Sequence, residues 1–257
     1  MNASESASVR TIRGSARAPG WSLWWALALL AGLTLFMTAL KPLFAHLFPE
    51  LDRPMYEQDS FIALMGAHVA LVAASSAVSI AVGVAIGLFV TRAAGREFRP
   101  LLQSVVAMGQ TVPPLAVLAI AAPVLGFGDV PALLALALYG VLPVVHGTIA
   151  GIESVPADVR EAAQGLGLTE RHVLARVELP LAWPVVLSGI RTSVIINVGT
   201  AAIASTVGVR TLGSPIIIGM AGFNTAYVIQ GAVLVALLAM TVDLAFEHLA
   251  PAAVVAE

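Results

Sequence analysis

Cysteine is absent from this 257-residue chain, which excludes disulfides and every thiolate metal site. Lysine is almost absent. The single one is Lys41, in Leu40-Lys41-Pro42, so no phosphate-binding loop of the form GxxxxGK plus Ser or Thr exists, and any use of ATP must be borrowed from a partner. Charged residues make up 11% of the chain and the net charge is −2, which leaves no basic face for nucleic acid. The histidines (His46, His68, His146, His172 and His248) are scattered and form no HExxH. No GxSxG nucleophile elbow occurs either. No metal, no cofactor and no enzyme active site is therefore expected.

What the chain has in excess is apolar surface. Apolar residues reach 59% and mean hydropathy is +0.94, against about 45–50% apolar in ordinary soluble domains. A soluble fold of this length cannot hide so much apolar surface, whereas lipid accepts it as an exterior. A bilayer core needs roughly 20 apolar residues per helix, and six windows qualify: 21–40, 61–90, 101–122, 131–152, 181–205 and 225–249. The expectation is an all-α membrane protein of about six transmembrane helices. The third window contains Pro113 and Pro114 and is expected to be one kinked span. The basic start before Trp21 imitates a secretion signal, but the run Trp21–Leu40 is too long for a signal core and reads as a first span.

Charge placement sets the orientation. Arg10, Arg13 and Arg17 precede the first span, Arg92, Arg96 and Arg99 follow the second, and Arg160, Arg171 and Arg176 follow the fourth. The positive-inside rule puts all nine, and with them both termini, in the cytoplasm. The chain divides into an N-terminal tail (1–20), a first helix with its outer loop (21–60), a main transmembrane unit (61–249) and a C-terminal tail (250–257). Trp21, Trp24 and Trp25 sit where an interfacial anchor belongs.

The segment 153–180 is the long polar interruption. Pro156 fits a first helical position, and Ala157–Gln164 is strongly helix-forming. Gly165 and Gly167 interrupt it, Thr169 is placed to cap a second helix, and that helix is expected to end near Pro180. A helix–glycine–helix knuckle between two spans suits docking against another protein; an ordinary interspan loop is the plain alternative.

Within the spans, ionisable and polar groups are costly and draw attention. Arg191 stands well inside the fifth window and Asp243 inside the sixth, a pair of opposite sign. His68 and His146 are of secondary interest. Gln110, Tyr139, Arg191 and Asn197 form the candidate set for a translocation path, with buried helix packing as the competing role for each. Phe127, Tyr139, Trp183, Phe223 and Tyr227 are the aromatics available for a cation–π cage. Gly83 and Gly87 form GxxxG, which reads first as intrachain helix packing.

Glu161-Ala162-Ala163, three residues, Gly167, nine residues, Val177, one residue, and Leu179-Pro180 resemble the EAA loop of ABC importer permeases, with valine where that family has isoleucine. Met108-Gly109-Gln110-Thr111-Val112-Pro113-Pro114, Gly126-Phe127-Gly128, Tyr139-Gly140-Val141-Leu142-Pro143, Gly189-Ile190-Arg191-Thr192 and Asn197-Val198-Gly199-Thr200-Ala201 resemble its osmoprotectant branch, which imports glycine betaine, choline, carnitine and similar solutes. The resemblance runs from about residue 61 to 249. It implies a type I importer permease fold in the cell inner membrane and a second permease, identical or related, that completes the path. It also implies a cytoplasmic ABC ATPase docked on the EAA loop and a separate extracytoplasmic solute-binding protein. Glu161, Ala162, Ala163 and Gly167, with Leu179 and Pro180 at the loop's end, are then the ATPase-coupling residues. Two other classes stay open at this point: a permease for another small polar solute, such as an amino acid, and an ion-coupled secondary carrier. The latter often carries an inverted repeat, and none is evident here. A structural subunit without a path fits the mid-span polar residues and the docking loop less well.

Overall fold

Long apolar runs without soluble-type amphipathicity form helices because lipid offers no partner for an unpaired backbone group. The computed structural model describes residues 19–249, apart from the side chains of residues 103, 106 and 110. Residues 1–18 of the tail expected at 1–20, with Arg10, Arg13 and Arg17, and all of the tail expected at 250–257 lie outside the described residues. In chain order the helices are α1 (Trp21–Phe36), α2 (Lys41–Leu47), α3 (Phe61–Thr91), α4 (Arg99–Thr111), α5 (Pro114–Leu125), α6 (Asp129–Glu153), α7 (Ala157–Gly165), α8 (Glu170–Val173), α9 (Leu179–Ala201), α10 (Ser214–Ala221) and α11 (Thr225–Leu249). A 3₁₀ turn, Met37–Leu40, joins α1 to α2.

Among the described residues five helical stretches are long and apolar enough to cross a membrane: Trp21–Leu47, Phe61–Thr91, Asp129–Glu153, Glu170–Ala201 and Thr225–Leu249. The third window differs from expectation. It is not one kinked span but two helices, Arg96–Gly109 and Pro114–Leu125, bent by 87°, and only as a pair do they make a sixth crossing. Each proline forces the residue before it out of the helical region. Val112 is accordingly extended (ψ 125°), and so is Pro113 (ψ 140°), because Pro114 follows it. Two successive extended residues break a helix where one proline would have kinked it.

α6 is the central helix. In its most apolar stretch 61% of residues are buried, against 22–33% in the other four spans. It packs mainly on α3 and α9, while α1 and α10 lie against α11. Small residues permit the close approach. A Cβ on Gly83 would meet the Val144 side chain at 2.6 Å, and one on Gly147 would meet the Gly189 Cα at 2.8 Å. The GxxxG pair thus serves packing of α3 on α6 within the chain.

Several polar groups inside the bundle pair across helices, because an unpaired buried polar atom is costly. Ser79 on α3 donates to the Ala137 carbonyl on α6 (2.9 Å), and His68 Nε2 lies 3.0 Å from the Val198 carbonyl on α9. On the side of the bundle away from α7, Gln230 of α11 is fully buried. It accepts from the Tyr56 N–H (3.1 Å) and donates to the Pro54 carbonyl (2.7 Å), pinning the loop after α2 to α11. Tyr56 itself is buried and donates to Asp59 (3.0 Å). Burial, and then the carboxylate it bonds, push the phenol well above its ordinary range.

Candidate functional site

The polar segment between α6 and α9 folds as a helix, a glycine turn and a second helix. α7 begins at Ala157, one residue later than expected, because Pro156 is extended (ψ 142°) and forms the cap. α7 ends at a turn in which Gly167 takes φ +83°, a left-handed value that costs a side-chain-bearing residue about 1–2 kcal/mol. Thr169 has the extended backbone of a cap, but its hydroxyl pairs with His172 Nδ1 (3.1 Å) instead of capping the helix N–H groups.

The second helix does not end near Pro180. It runs on through a π turn, Leu174–Glu178, into α9, with Pro180 in the first turn of α9. The wider π ladder absorbs the proline. Leu179 donates to the carbonyl five residues back, at Leu174, so the register has already opened where Pro180 offers no N–H. The end of the polar segment is therefore continuous with the fifth span, in one helical stretch from Glu170 to Ala201.

Of the motif residues, Glu161 and Ala162 stand on the exposed face of α7, and Ala163 points inward. Beside them Leu166 is 82% exposed, the most exposed leucine of the chain's described part. Gly167 and Pro180 are exposed, and Leu179 is partly covered. α7 and the turn after it thus carry a small apolar and acidic face that nothing among the described residues covers.

Beneath α7 lies a charged floor that sequence reasoning missed. Glu178, 4% exposed, forms ion pairs with two arginines of different elements: Arg92, just past α3 (2.8 Å), and Arg160 of α7 (3.0 Å). Arg160 also donates to the Ile152 carbonyl near the end of α6. Arg99 at the start of α4 makes a two-bond pair with Glu153, one of the bonds at 3.0 Å. These groups, with Arg96, Gln164 and Glu170, line a cavity of about 470 Å³. The available signal was a lone carboxylate in the apolar run Val177-Glu178-Leu179, which requires a counter-ion. Its two partners lie far off in sequence, so the pairing itself was not legible.

The four path candidates are dispersed. Asn197 is fully buried on α9 and donates to Ser75 (3.3 Å) and Ser76 (3.1 Å) of α3. Tyr139 is buried on α6. Arg191 and Asp243 do pair, Nε to Oδ1 at 2.6 Å, joining α9 to α11. Gln110 belongs to α4, and its side chain lies outside the described residues. Of the aromatics, Tyr227 packs edge-on against Tyr56 (5.5 Å between centroids), and Phe127 and Phe223 project from the surface. Among the described residues no group of three or more His, Cys, Asp or Glu is placed to hold a metal ion.

An exposed helix joined by a glycine turn to a span, on a chain without a nucleotide loop, meets its counterpart in known proteins. Residues 83–255 match the family of binding-protein-dependent transport system inner membrane components. The chain belongs to that family. Among curated relatives, this permease component is 43% identical over 176 residues to the osmoprotectant import permease protein OsmY of Salmonella typhimurium, covering 68% of this chain and 75% of the relative. It is 39% identical to the choline transport system permease protein OpuBB of Bacillus subtilis, over 68% and 80% of the two chains. To the glycine betaine/carnitine/choline transport system permease protein OpuCB of the same organism it is 38% identical, over 69% and 81%. The fold is that of type I ABC importer permeases. The membrane chain of the MetNI methionine ABC transporter superposes with a TM-score of 0.66 at 20% identity, covering 74% of this permease and 94% of that chain.

Proposed function

We propose that this chain is the permease subunit of an ATP-driven importer for compatible solutes such as glycine betaine, choline or carnitine, seated in the cell inner membrane with α7 in the cytoplasm. The observation that carries the solute class is the 38–43% identity, across two thirds of the chain, to permeases named for those solutes. Orientation follows from the arginines around α7 and after α3. The permease makes and breaks no covalent bond. Its work is a switch between two arrangements of the spans, and a ligand moves such a switch only by binding the two states unequally.

ATP is hydrolysed by a partner ATPase that receives α7, with Glu161, Ala162 and Leu166 facing it and Gly167 allowing the turn. A second permease, the same or related, completes the path. An extracytoplasmic solute-binding protein delivers the solute on the opposite side. Arg191, Asn197, Tyr139 and Gln110 remain the candidate path residues. Asn197 and Tyr139 lie within this chain's own helix packing, so Arg191, partly exposed on α9, is the strongest of the four.

The test is uptake of labelled glycine betaine by cells lacking their own betaine importers and expressing this chain with its ATPase and binding protein. Uptake should require the ATPase and should collapse in the Glu161→Ala, Gly167→Trp variant. Uptake that persists without the ATPase sinks the importer reading. Assembly without betaine uptake sinks the solute class.

A further inference from the structure

α7 can hand force to the spans only through what holds it, and it is held by little. Ala163 is the one residue of α7 that is buried, and the helix touches chiefly α8 and the π turn that follows. The remaining link is electrostatic. Glu178 sits in the last position of the π turn, immediately before α9, and its two oxygens are divided between Arg160 of α7 and Arg92 at the end of α3. Arg160 reaches on to the carbonyl of Ile152, near the end of α6. One buried carboxylate therefore ties α7 to the cytoplasmic ends of α3, α6 and α9, the three helices that form the tight centre of the bundle.

From this geometry we infer that Glu178 is the positioning residue of the coupling joint: it makes α7, α3 and α9 move as one body when the ATPase closes. The inference rests on the importer reading above. Glu178 is nearly inaccessible and so cannot itself be a contact for the ATPase. Replacing Glu178 and both arginines together by apolar residues of similar size would give comparable stability, since buried ion pairs gain little net over good packing. What the charge adds is resistance to separation. A buried carboxylate stripped of its cations, or two guanidiniums left facing each other, is strongly disfavoured, so α7 stays seated on Glu178 as the spans move. Two arginines on one carboxylate also keep the charge paired if either one swings away.

The experiment uses the assembled complex in proteoliposomes, with ATP hydrolysis and solute uptake measured on the same sample. Because the chain has no cysteine, spin labels placed at Asp158→Cys on α7 and Leu181→Cys on α9 before the chain is combined with its partners report the distance between the two helices without background labelling. In the otherwise unaltered complex that distance should hold through the ATP cycle. In Glu178→Gln the two arginines, each about a third exposed, can turn to water, so the complex should assemble and hydrolyse ATP as before, move at least tenfold less solute per ATP, and show a broadened distance that changes with ATP. Glu178→Asp should recover most of the transport. If Glu178→Gln matches the unaltered complex in solute per ATP, or the distance stays sharp, the inference is overturned. It is also overturned, in favour of a folding role, if neither Glu178→Gln nor Arg160→Gln assembles. Failure of the unaltered complex to take up solute with ATP refutes the importer reading instead, and the label distances still decide whether Glu178 holds α7 to α9.

Discussion

Gly147→Ala is the smallest change that addresses the centre of this bundle. The added Cβ would lie 2.8 Å from the Cα of Gly189 and 3.2 Å from its backbone nitrogen, where carbon atoms prefer about 3.5–4.0 Å. The obstacle is backbone, so no side chain can rotate away, and α6 and α9 must part by roughly an ångström along their shared face. Overpacking of this kind costs about 1–3 kcal/mol. The gain from replacing a helical glycine with alanine is at most about 1 kcal/mol. The clash wins, by about 2 kcal/mol at its upper range. For a chain of this size that corresponds to roughly 4–8 °C in melting temperature, taking about 2–4 °C per kcal/mol. Gly199→Ala on the same α9 is the control, because a Cβ there meets nothing within 4 Å. Thermal unfolding of the purified full chain in detergent, followed by helical circular dichroism, should show Gly199→Ala unchanged or slightly raised and Gly147→Ala lowered. Equal melting of the two variants would refute the close backbone contact as a source of stability.

Two further outcomes follow from the paired polar groups. Arg191→Leu strands the Asp243 carboxylate among the spans, and Asp243→Leu strands the guanidinium. Each single variant should reduce the yield of folded protein, measured by fluorescence-detected size exclusion, and the double variant should restore it; yields that fall additively contradict the pairing. If Arg191 also lines the path, uptake stays low in the restored double variant. Tyr56 keeps its phenol protonated in the fold because burial and Asp59 raise its pKa, whereas unfolded tyrosine ionises near 10. Its contribution is whole below pH 10 and declines as pH rises beyond that, at about 1.4 kcal/mol per pH unit. Between pH 9 and 11 the unaltered chain should therefore lose more stability than Tyr56→Phe, and equal losses would contradict the buried phenol.

The chain's residue pattern determined the class of protein and the position of the polar helix–turn–helix between α6 and α9 without help from the fold. Hydrocarbon needs about 20 apolar residues and tolerates no loose charge, so five spans were legible, although Trp21–Leu47 runs on past its expected end and Glu170–Ala201 starts well before its expected beginning. Pro156, Gly167 and Thr169 carry local backbone preferences that place α7 and its turn from sequence alone. The break at Pro113 was half legible. One proline implies a kink, but the 87° angle arises because two successive residues are driven extended. The passage of the second helix through Pro180 was misread, since the proline rule assumes an α ladder and the π turn before it changes that ladder. Tertiary structure alone decided the rest. Which arginines answer Glu178, and that Asn197 spends its donors on Ser75 and Ser76, depend on residues distant along the chain. Hydrophobic and proline patterns act within a turn or two of helix. Charge pairing and close packing act through space, and only the arrangement of α3, α6 and α9 brings those groups within reach.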